Sequence, residues 1–134
     1  MTSIVKTMLL AVGLGLAGCA TAAAPQTAQL GAGDWVLAHW QEDRTYFWPA
    51  TITARTGDEL TLQYDDGDVG TQDIDDVRAF DWAPGTRLEC RWSDDVWYWA
   101  TIAQTGASRA DFRVQYDDGD KEATNTSRCR SSAE

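Results

Sequence analysis

A chain of 134 residues has room for one domain of ordinary size or for two very small ones. It carries 21 acidic against 11 basic residues, which gives a formal net charge of −10 at pH 7. This charge argues strongly against nucleic acid as a partner and against a polybasic site for lipid head groups, whereas long-range attraction favours a cationic partner.

The N-terminus has the pattern of an exported leader. Lys6 supplies a positive charge, and Met8–Leu16 is an apolar run too short to span a bilayer. The run leads into Ala17-Gly18-Cys19, which resembles the bacterial lipobox, where cleavage precedes a Cys that carries lipid such as palmitate. We therefore expect a signal peptide over residues 1–18 and lipidation of Cys19. An ordinary secretory signal with an incidental Cys is the alternative.

Residues 19–33 are rich in Ala, Thr and Gln and have little to bury, so we expect a flexible tether. Lipid at this position is a membrane anchor and not a span. In enteric-type sorting an Asp after the Cys favours the inner membrane, and this chain has Ala20. We expect a location in the bacterial cell envelope, with the folded part in the periplasm and the outer membrane favoured over the inner.

The rest of the chain contains one stretch twice, as Gln63–Asp68 and as Gln115–Asp120. Each copy holds an Asp-Gly pair after an alternating run, which predicts a strand and a tight hairpin turn, because Gly accepts a positive φ without steric cost. The tryptophans Trp40 and Trp92 share the same offset of 52 residues. The repeat indicates two tandem β modules.

The triplet that begins at Ala50 recurs at Ala100, an offset of 50 residues instead of 52. The second copy is thus two residues shorter before the triplet and two longer after it. Such differences are expected in loops, where changes in length cost little.

Module one is expected over residues 34–80, with a first strand in which Val36, Ala38 and Trp40 share one face. Five short strands in under fifty residues suit a small closed barrel, because closure removes sheet edges. After a charged loop at 41–45, the later elements are predicted as strands at 47–55, 59–64, 69–73 and 77–80, with one helical turn at 74–76.

A hinge at 81–86 is punctuated by Pro and Gly, and we expect Trp82 to be buried between the modules. Module two is expected over residues 87–130 and a frayed tail over 131–134. Its predicted strands lie at 87–92, 96–104, 111–116, 121–124 and 128–130, with one turn at 125–127. The expected fold class is all-β, with two tandem five-stranded barrels after the signal peptide and tether.

Once Cys19 is assigned to lipid, Cys90 and Cys129 remain. At the offset of 52 they match Ala38 and Val77, which are both apolar. In a five-stranded barrel of this type the first and last strands are neighbours, so an inward Cys on each is placed to form a disulfide in an oxidising compartment. Two buried free thiols are the alternative.

Each module places aromatic residues at three separate points: the end of strand one, the start of strand two, and the position before the Asp-Gly turn. If these strand ends meet at one rim, aromatic faces and a carboxylate would attract a methylated ammonium through cation–π interaction and charge. Packing of the same rings in a core or an interface is the alternative. The residues are Trp40, Tyr46-Phe47-Trp48 and Tyr64 beside Asp66 and Asp68, and Trp92, Trp97-Tyr98-Trp99 and Tyr116 beside Asp118 and Asp120.

Three motifs together resemble the Tudor/agenet group of SH3-like barrels, over Asp34 to about Arg130. They are a first strand ending in Ala-x-Trp, an aromatic-Pro-Ala-Thr-Ile segment, and Tyr-Asp-Asp-Gly. The resemblance implies a binding module whose aromatic cage holds methyl-lysine or methyl-arginine. By position the ligand-binding residues fall on Trp40, Trp48, Tyr64 and Asp66 in module one, and on Trp92, Tyr98, Tyr116 and Asp118 in module two.

The chain departs from this group at two points. Many cages of the group carry a further aromatic just after the turn Gly, where this chain has Asp68 and Asp120. Trp99 also replaces Pro49, so that Trp97, Tyr98 and Trp99 all compete for one cage position.

Other chemistry has little support. His39 is the single His and is expected to be solvated on the outer face of strand one. The acidic turns lack the ligand spacing of an EF-hand loop, so we expect no metal and no cofactor. We expect a non-enzymatic, membrane-anchored module that recognises a cationic or methylated side chain, or a small quaternary amine, of an envelope partner. A structural envelope lipoprotein without a ligand pocket is the main alternative, and a hydrolase accessory domain is a third.

Overall fold

The computed structural model describes residues 29–106 and 108–133. The predicted signal peptide, the lipidated Cys19 and most of the predicted tether lie outside these residues. The described chain contains ten strands and no α-helix, so the all-β prediction is confirmed. No helix in this part of the chain is long and apolar enough to cross a membrane.

Each module contributes five strands. Those of module one are β1 (Trp35–Trp40), β2 (Asp43–Thr56), β3 (Glu59–Tyr64), β4 (Val69–Asp73) and β5 (Val77–Ala79), with a single 3-10 turn at Ile74–Asp76. Those of module two are β6 (Arg87–Arg91), β7 (Trp97–Thr105), β8 (Phe112–Tyr116), β9 (Lys121–Thr124) and β10 (Cys129–Ser132), with a 3-10 turn at Thr126–Arg128.

Period-two burial explains why the strands form where the sequence alternates. In β3, Leu60, Leu62 and Tyr64 are buried, and Gln63 between them is exposed. The same alternation recurs in β8. Each buried aliphatic side chain contributes about 1.5–3 kcal/mol relative to an exposed one, so that a slip of one residue in the pairing would lose all of these contributions at once.

The two Asp-Gly turns have the predicted backbone. Gly67 and Gly119 have φ of 100° and 98°, a region that a side chain would strain. In each turn the amide of the preceding Tyr donates to a carbonyl across the hairpin, Tyr64 to Asp68 and Tyr116 to Asp120, both at 2.7 Å. Each turn therefore fixes a Tyr and the following carboxylates at one end of its module.

The first and last strands of each module are neighbours, as the disulfide prediction required. Ala38 of β1 lies opposite Val77 of β5, and Cys90 of β6 lies opposite Cys129 of β10. The two cysteines are bonded, with their Cα atoms 4.1 Å apart. The predicted disulfide is confirmed, and it occupies the register position that a pair of apolar side chains fills in module one.

The C-terminal strand joins the modules. Cys129 and Arg130 pair with β6, and the next two residues of β10 cross to module one, where Ser131 pairs with Phe47 and Ser132 with Tyr46. The predicted frayed tail at 131–134 is therefore ordered through residue 133 and belongs to a strand. The backbone of this segment is hydrogen-bonded because β2 of module one supplies a partner strand, which module two alone would lack.

The length difference before the repeated triplet does not lie in a loop. Four residues of β2, 44–47, lie opposite His39 alone, so that the additional length of module one lies in a bulge of the strand. The corresponding pairing in module two is regular. The bulged segment is the one that pairs with β10, so the expectation of a loop is wrong here. The second difference does lie in a loop, the one between β7 and β8.

The outer face of β1 is covered and not solvated. Leu37 is fully buried and packs in the core of module two. His39 is only 7% exposed, its ring stacks on Phe47 at 4.3 Å, and its Nδ1 lies 2.9 Å from the carbonyl oxygen of Tyr46. The prediction of a solvated His39 is wrong because β2 of its own module covers the ring.

Trp82 of the predicted hinge is buried between the two modules, as expected. Trp82 is 4% exposed and lies between Phe80 and Phe112, and Phe80 in turn stacks on Trp35. The hinge is thus a continuous aromatic contact between the modules. Leu30 is also buried in module one, so that the packed chain begins a few residues before the predicted boundary at Asp34.

Candidate functional site

The four residues assigned to a cage in module one lie around one cavity of about 160 Å³, here named cavity 1. They are Trp40, Trp48, Tyr64 and Asp66. Asp68 of module one and Ser127 of module two also line it. Cavity 1 is therefore built from both modules, which the sequence did not indicate.

Strand geometry explains why these side chains meet. Trp40 ends β1 and Tyr64 ends β3, and their rings are perpendicular with centroids 5.0 Å apart. Gly70 of β4 lies behind them, and a Cβ there would lie 3.4 Å from Cζ3 of Trp40. The absence of a side chain at Gly70 lets the tryptophan lie flat against the sheet.

Tyr64 is a neutral wall of cavity 1. Its hydroxyl donates to the carbonyl oxygen of His39, and burial raises the pKa of Tyr64 to about 12. Negative charge at the mouth comes instead from the exposed Asp66 and Asp68. One oxygen of Asp66 accepts from the amide of Asp68 at 3.0 Å, which fixes the carboxylate on the turn.

The four residues assigned to module two, Trp92, Tyr98, Tyr116 and Asp118, line a second and larger cavity of about 530 Å³, here named cavity 2. The Tyr116 ring is perpendicular to both other rings, with centroids 5.4 Å from Trp92 and 6.3 Å from Tyr98. Trp99, which is 43% exposed, also lines it. The arrangement repeats that of cavity 1 around a larger volume.

Cavity 2 is the more acidic of the two. Asp94, Asp117, Asp118 and Asp120 all line it, and Asp117 is paired with Arg87 at 2.5 Å. The hydroxyl of Tyr98 donates to Asp94 at 2.7 Å, and this hydrogen bond raises the pKa of Tyr98 and lowers that of Asp94. Three carboxylates are left to meet a cation at the mouth.

Tyr116 is a buried aromatic residue that lines cavity 2. Its hydroxyl donates to Glu122 at 2.7 Å, and burial, followed by this bond, raises the pKa of Tyr116. Like Tyr64 it therefore presents an uncharged ring. The structure distinguishes the three residues that competed for one cage position. Tyr98 and Trp99 line cavity 2, and Trp97 does not.

Trp97 belongs to a third aromatic cluster, here named the Arg130 cluster, which the sequence analysis missed. The guanidinium carbon of Arg130 lies 3.7 Å from the ring centroid of Tyr46, 4.1 Å from that of Trp97 and 5.5 Å from that of Trp48. Nε and one terminal nitrogen of Arg130 donate to Glu89 at 3.1 and 2.8 Å. The aromatic run at 46–48 could have indicated this cluster. Successive side chains of a strand point to opposite faces, so the three rings cannot all face one cavity.

In the described part of the chain, no group of three His, Cys, Asp or Glu side chains is arranged to hold a metal ion. His39 lines neither cavity. What the two sites can do is to enclose a cationic group between aromatic faces and place it beside a carboxylate. Tandem β modules with rings and acids at their rims are typical of a class of binding proteins.

Part of the chain matches a known protein family. Residues 32–80 match the family model described as the Tudor domain of the DNA repair protein Crb2. The match covers module one, and the Tudor/agenet-like fold that the sequence motifs predicted is confirmed there.

Two solved structures are similar to the chain over 75% of its length. One is AGDP1 AGD34 of Arabidopsis thaliana, at 15% identity over 80% of that chain with a TM-score of 0.37. The other is the ADCP1 tandem Agenet domain 3-4, at 14% identity over 78% of that chain with a TM-score of 0.34. No curated protein sequence matches the chain.

Proposed function

We propose that this chain is a non-enzymatic binding module that recognises a cationic or methylated side chain, or a small quaternary amine, through two aromatic cages. The observation that carries the proposal is the convergence, in each module, of three rings from separate strands and one turn carboxylate around a single cavity. Packing alone does not require such a hollow, since rings in a core fill the space between them.

The size and charge of cavity 1 fit one methylated ammonium group. Its volume of about 160 Å³ is close to the ~150 Å³ of a cavity that admits benzene. Each ring face contributes about 0.5–2 kcal/mol to a desolvated cation, and Asp66 and Asp68 add charge. Because few atoms contribute, we expect a Kd on the order of tens of micromolar to millimolar.

We further propose that lipid on Cys19 anchors the module to a membrane of a bacterial cell envelope, and that the ligand belongs to an envelope partner. The lipobox-like stretch that ends in Cys19 supports the anchor. Replacement of Cys19 by Ser should move the full chain from the membrane fraction to the soluble fraction and abolish palmitate labelling. Unchanged membrane recovery would refute the anchor without affecting the cages.

The cages are tested by titrating the mature chain with Nε-trimethyl-lysine, choline and arginine-rich peptides, while following tryptophan fluorescence. Unmethylated lysine is the matched ligand control. We expect saturable changes at millimolar ligand or below, reduced by Trp48→Ala for cavity 1 and by Tyr98→Ala for cavity 2. No change in the wild type and in Trp48→Ala alike would remove the proposal.

A structural role through protein contacts is the second candidate. Val96, Tyr98 and Trp99 are 48%, 43% and 43% exposed and form an apolar surface on β7 and the turn before it. Exposed apolar patches of this kind mark protein–protein contact sites. A partner that binds normally to a chain in which both cavities are inactive, but not to Val96→Ser/Trp99→Ser, would favour this candidate.

A further inference from the structure

We propose that Arg130 and Thr126 of module two are positioning residues for cavity 1, so that binding at cavity 1, but not at cavity 2, depends on the docking of the C-terminal segment 126–132 onto module one. The inference rests on the proposed function of cavity 1. It concerns how the cavity is assembled and not which group it binds.

The first observation concerns Trp48, which has two roles. Its ring lines cavity 1, and it also lies in the Arg130 cluster, 5.5 Å from the guanidinium carbon and 5.6 Å from the centroid of Trp97. Arg130 is held by Glu89 and is largely buried, with 18% of its side chain exposed. The orientation of one wall of cavity 1 is therefore set by side chains of module two.

The second observation concerns the Asp-Gly turn of module one. The hydroxyl of Thr126 donates to Asp65 at 2.5 Å, and Asp65 precedes Asp66, the carboxylate at the mouth of cavity 1. The next residue, Ser127, lines the cavity itself. Segment 126–130 thus contacts cavity 1 at two separate places, at the turn and at Trp48 within β2.

Cavity 2 has no such dependence on the other module among the described residues. Arg128 of the same segment donates to the carbonyl oxygen of Trp92 at 3.0 Å, but this contact lies within module two. Every residue that lines it belongs to module two. The residue equivalent to Asp65 is Asp117, which is exposed and paired with Arg87 of its own module. The asymmetry matches the strand pairing, because the last two residues of β10 pair with β2 of module one.

By linkage, a ligand at cavity 1 must stabilise the docked segment by the same free energy that docking contributes to binding. The amide of Ala133 donates to the carbonyl of Thr45 at 3.0 Å and reports this docking directly. Ligand at cavity 1 should slow hydrogen exchange at this amide, and ligand at cavity 2 should leave it unchanged.

The test isolates each cavity with matched charge reversals on equivalent turns: Asp118→Lys inactivates cavity 2, and Asp66→Lys inactivates cavity 1. In each background Arg130→Met is compared with Arg113→Met, an exposed arginine on the outer face of β8. The probe is Nε-trimethyl-lysine, and binding is followed through the tryptophan indole NMR signals. We expect Arg130→Met to weaken cavity 1 at least about fivefold and cavity 2 less than about twofold.

Two further variants guard against simple misfolding. Arg130→Lys keeps the charge beside Glu89 but loses the planar stack, so it should restore part of the cavity 1 affinity. Thr126→Val keeps the shape but removes the donor to Asp65 and should also weaken cavity 1 alone. Equal losses at both cavities, or no loss at either, would overturn the inference.

One readout does not need a ligand. Arg130→Met should shift the indole signals of Trp48 and Trp97, and Arg113→Met should not. If the wild type binds no probe, the proposed function fails, and these signals still decide whether Arg130 positions Trp48. Unmoved Trp48 and Trp97 signals would refute the positioning role even if both cavities bind.

Discussion

Nε of Arg109 donates to Oδ1 of Asp65 across 2.8 Å and thereby ties the β7–β8 loop of module two to the Asp-Gly turn of module one. The side chain of Asp65 is 2% exposed and also accepts from Thr126 and from the indole nitrogen of Trp35. The loop that carries Arg109 is the one that is longer than its counterpart. An insertion in one copy of the repeat therefore supplies the partner for a buried carboxylate in the other.

Replacing Asp65 by Ala should destabilise the chain by about 2 kcal/mol, because buried donors on Thr126 and Trp35 lose their acceptor. Arg109 is 44% exposed and adds less, since water can replace its partner. The internal repeat supplies the control: Asp117→Ala removes an exposed ion pair and should cost no more than about 1 kcal/mol. Urea unfolding measures the stability of both variants. Equal midpoints for the two variants would contradict the role of Asp65 in connecting the modules.

Reduction of the Cys90–Cys129 disulfide should lower the free energy of unfolding by about 2–4 kcal/mol, because the open chain gains entropy over a sequence separation of 39 residues. The variant Cys90→Ala/Cys129→Val copies the pair at the same register in module one and should still fold. Denaturant midpoints with and without reductant should differ in the wild type and coincide in the variant. If reductant shifted the midpoint of the variant equally, the effect of reductant would not come from this disulfide.

Stability should fall as the pH rises from about 10 to about 12. Burial raises the pKa of Tyr64 from its usual value near 10 to about 12 in the folded chain, so the folded state holds this proton more tightly than the unfolded state does. The contribution of Tyr64 is complete below about pH 10 and is lost as the pH approaches 12, with an upper limit of about 3 kcal/mol. Tyr64→Phe should flatten the slope of stability against pH, whereas an unchanged slope would contradict the burial of the phenol.

Binding at cavity 2 should depend more on salt than binding at cavity 1. Among the described residues, three carboxylates at cavity 2 have no basic side chain as a partner, and the same holds for two carboxylates at cavity 1. They are Asp94, Asp118 and Asp120 at cavity 2, and Asp66 and Asp68 at cavity 1. Salt screens exposed charges but leaves ring contacts intact. Titrations with Nε-trimethyl-lysine at about 0.05 M and about 0.5 M NaCl, in the Asp66→Lys and Asp118→Lys backgrounds, measure the difference. Parallel losses at both cavities would contradict it.

The sequence predicted β3, β4 and β9 to the residue, because alternation and turn residues are local signals. The convergence of Trp40, Trp48 and Tyr64 was also predicted, although only Trp40 and Tyr64 end their strands and Trp48 lies within β2. Their role in binding a ligand stays a prediction. The inward pair Cys90 and Cys129 was found by alignment of the repeat with itself.

Interactions between the modules were not visible in either copy alone. Leu37 alternates outward from its own module and is buried in the core of the other, and His39 on the same face is covered by the bulged part of β2. Ser131 and Ser132 have little to bury, and they form a strand only because the bulge in β2 offers them a partner. The Arg130 cluster likewise needs rings from both modules, which lie about fifty residues apart along the chain.

The sequence by itself determined the strands, the turns and the two sets of rings and acids, because these depend on residues that are close along the chain or related by the repeat. Only the tertiary structure decided which outer faces are buried, where the C-terminal strand pairs, and that cavity 1 takes side chains from both modules. The physical reason is that burial and strand pairing between modules are set by surfaces that face each other in space, and no periodicity within one module records what covers it.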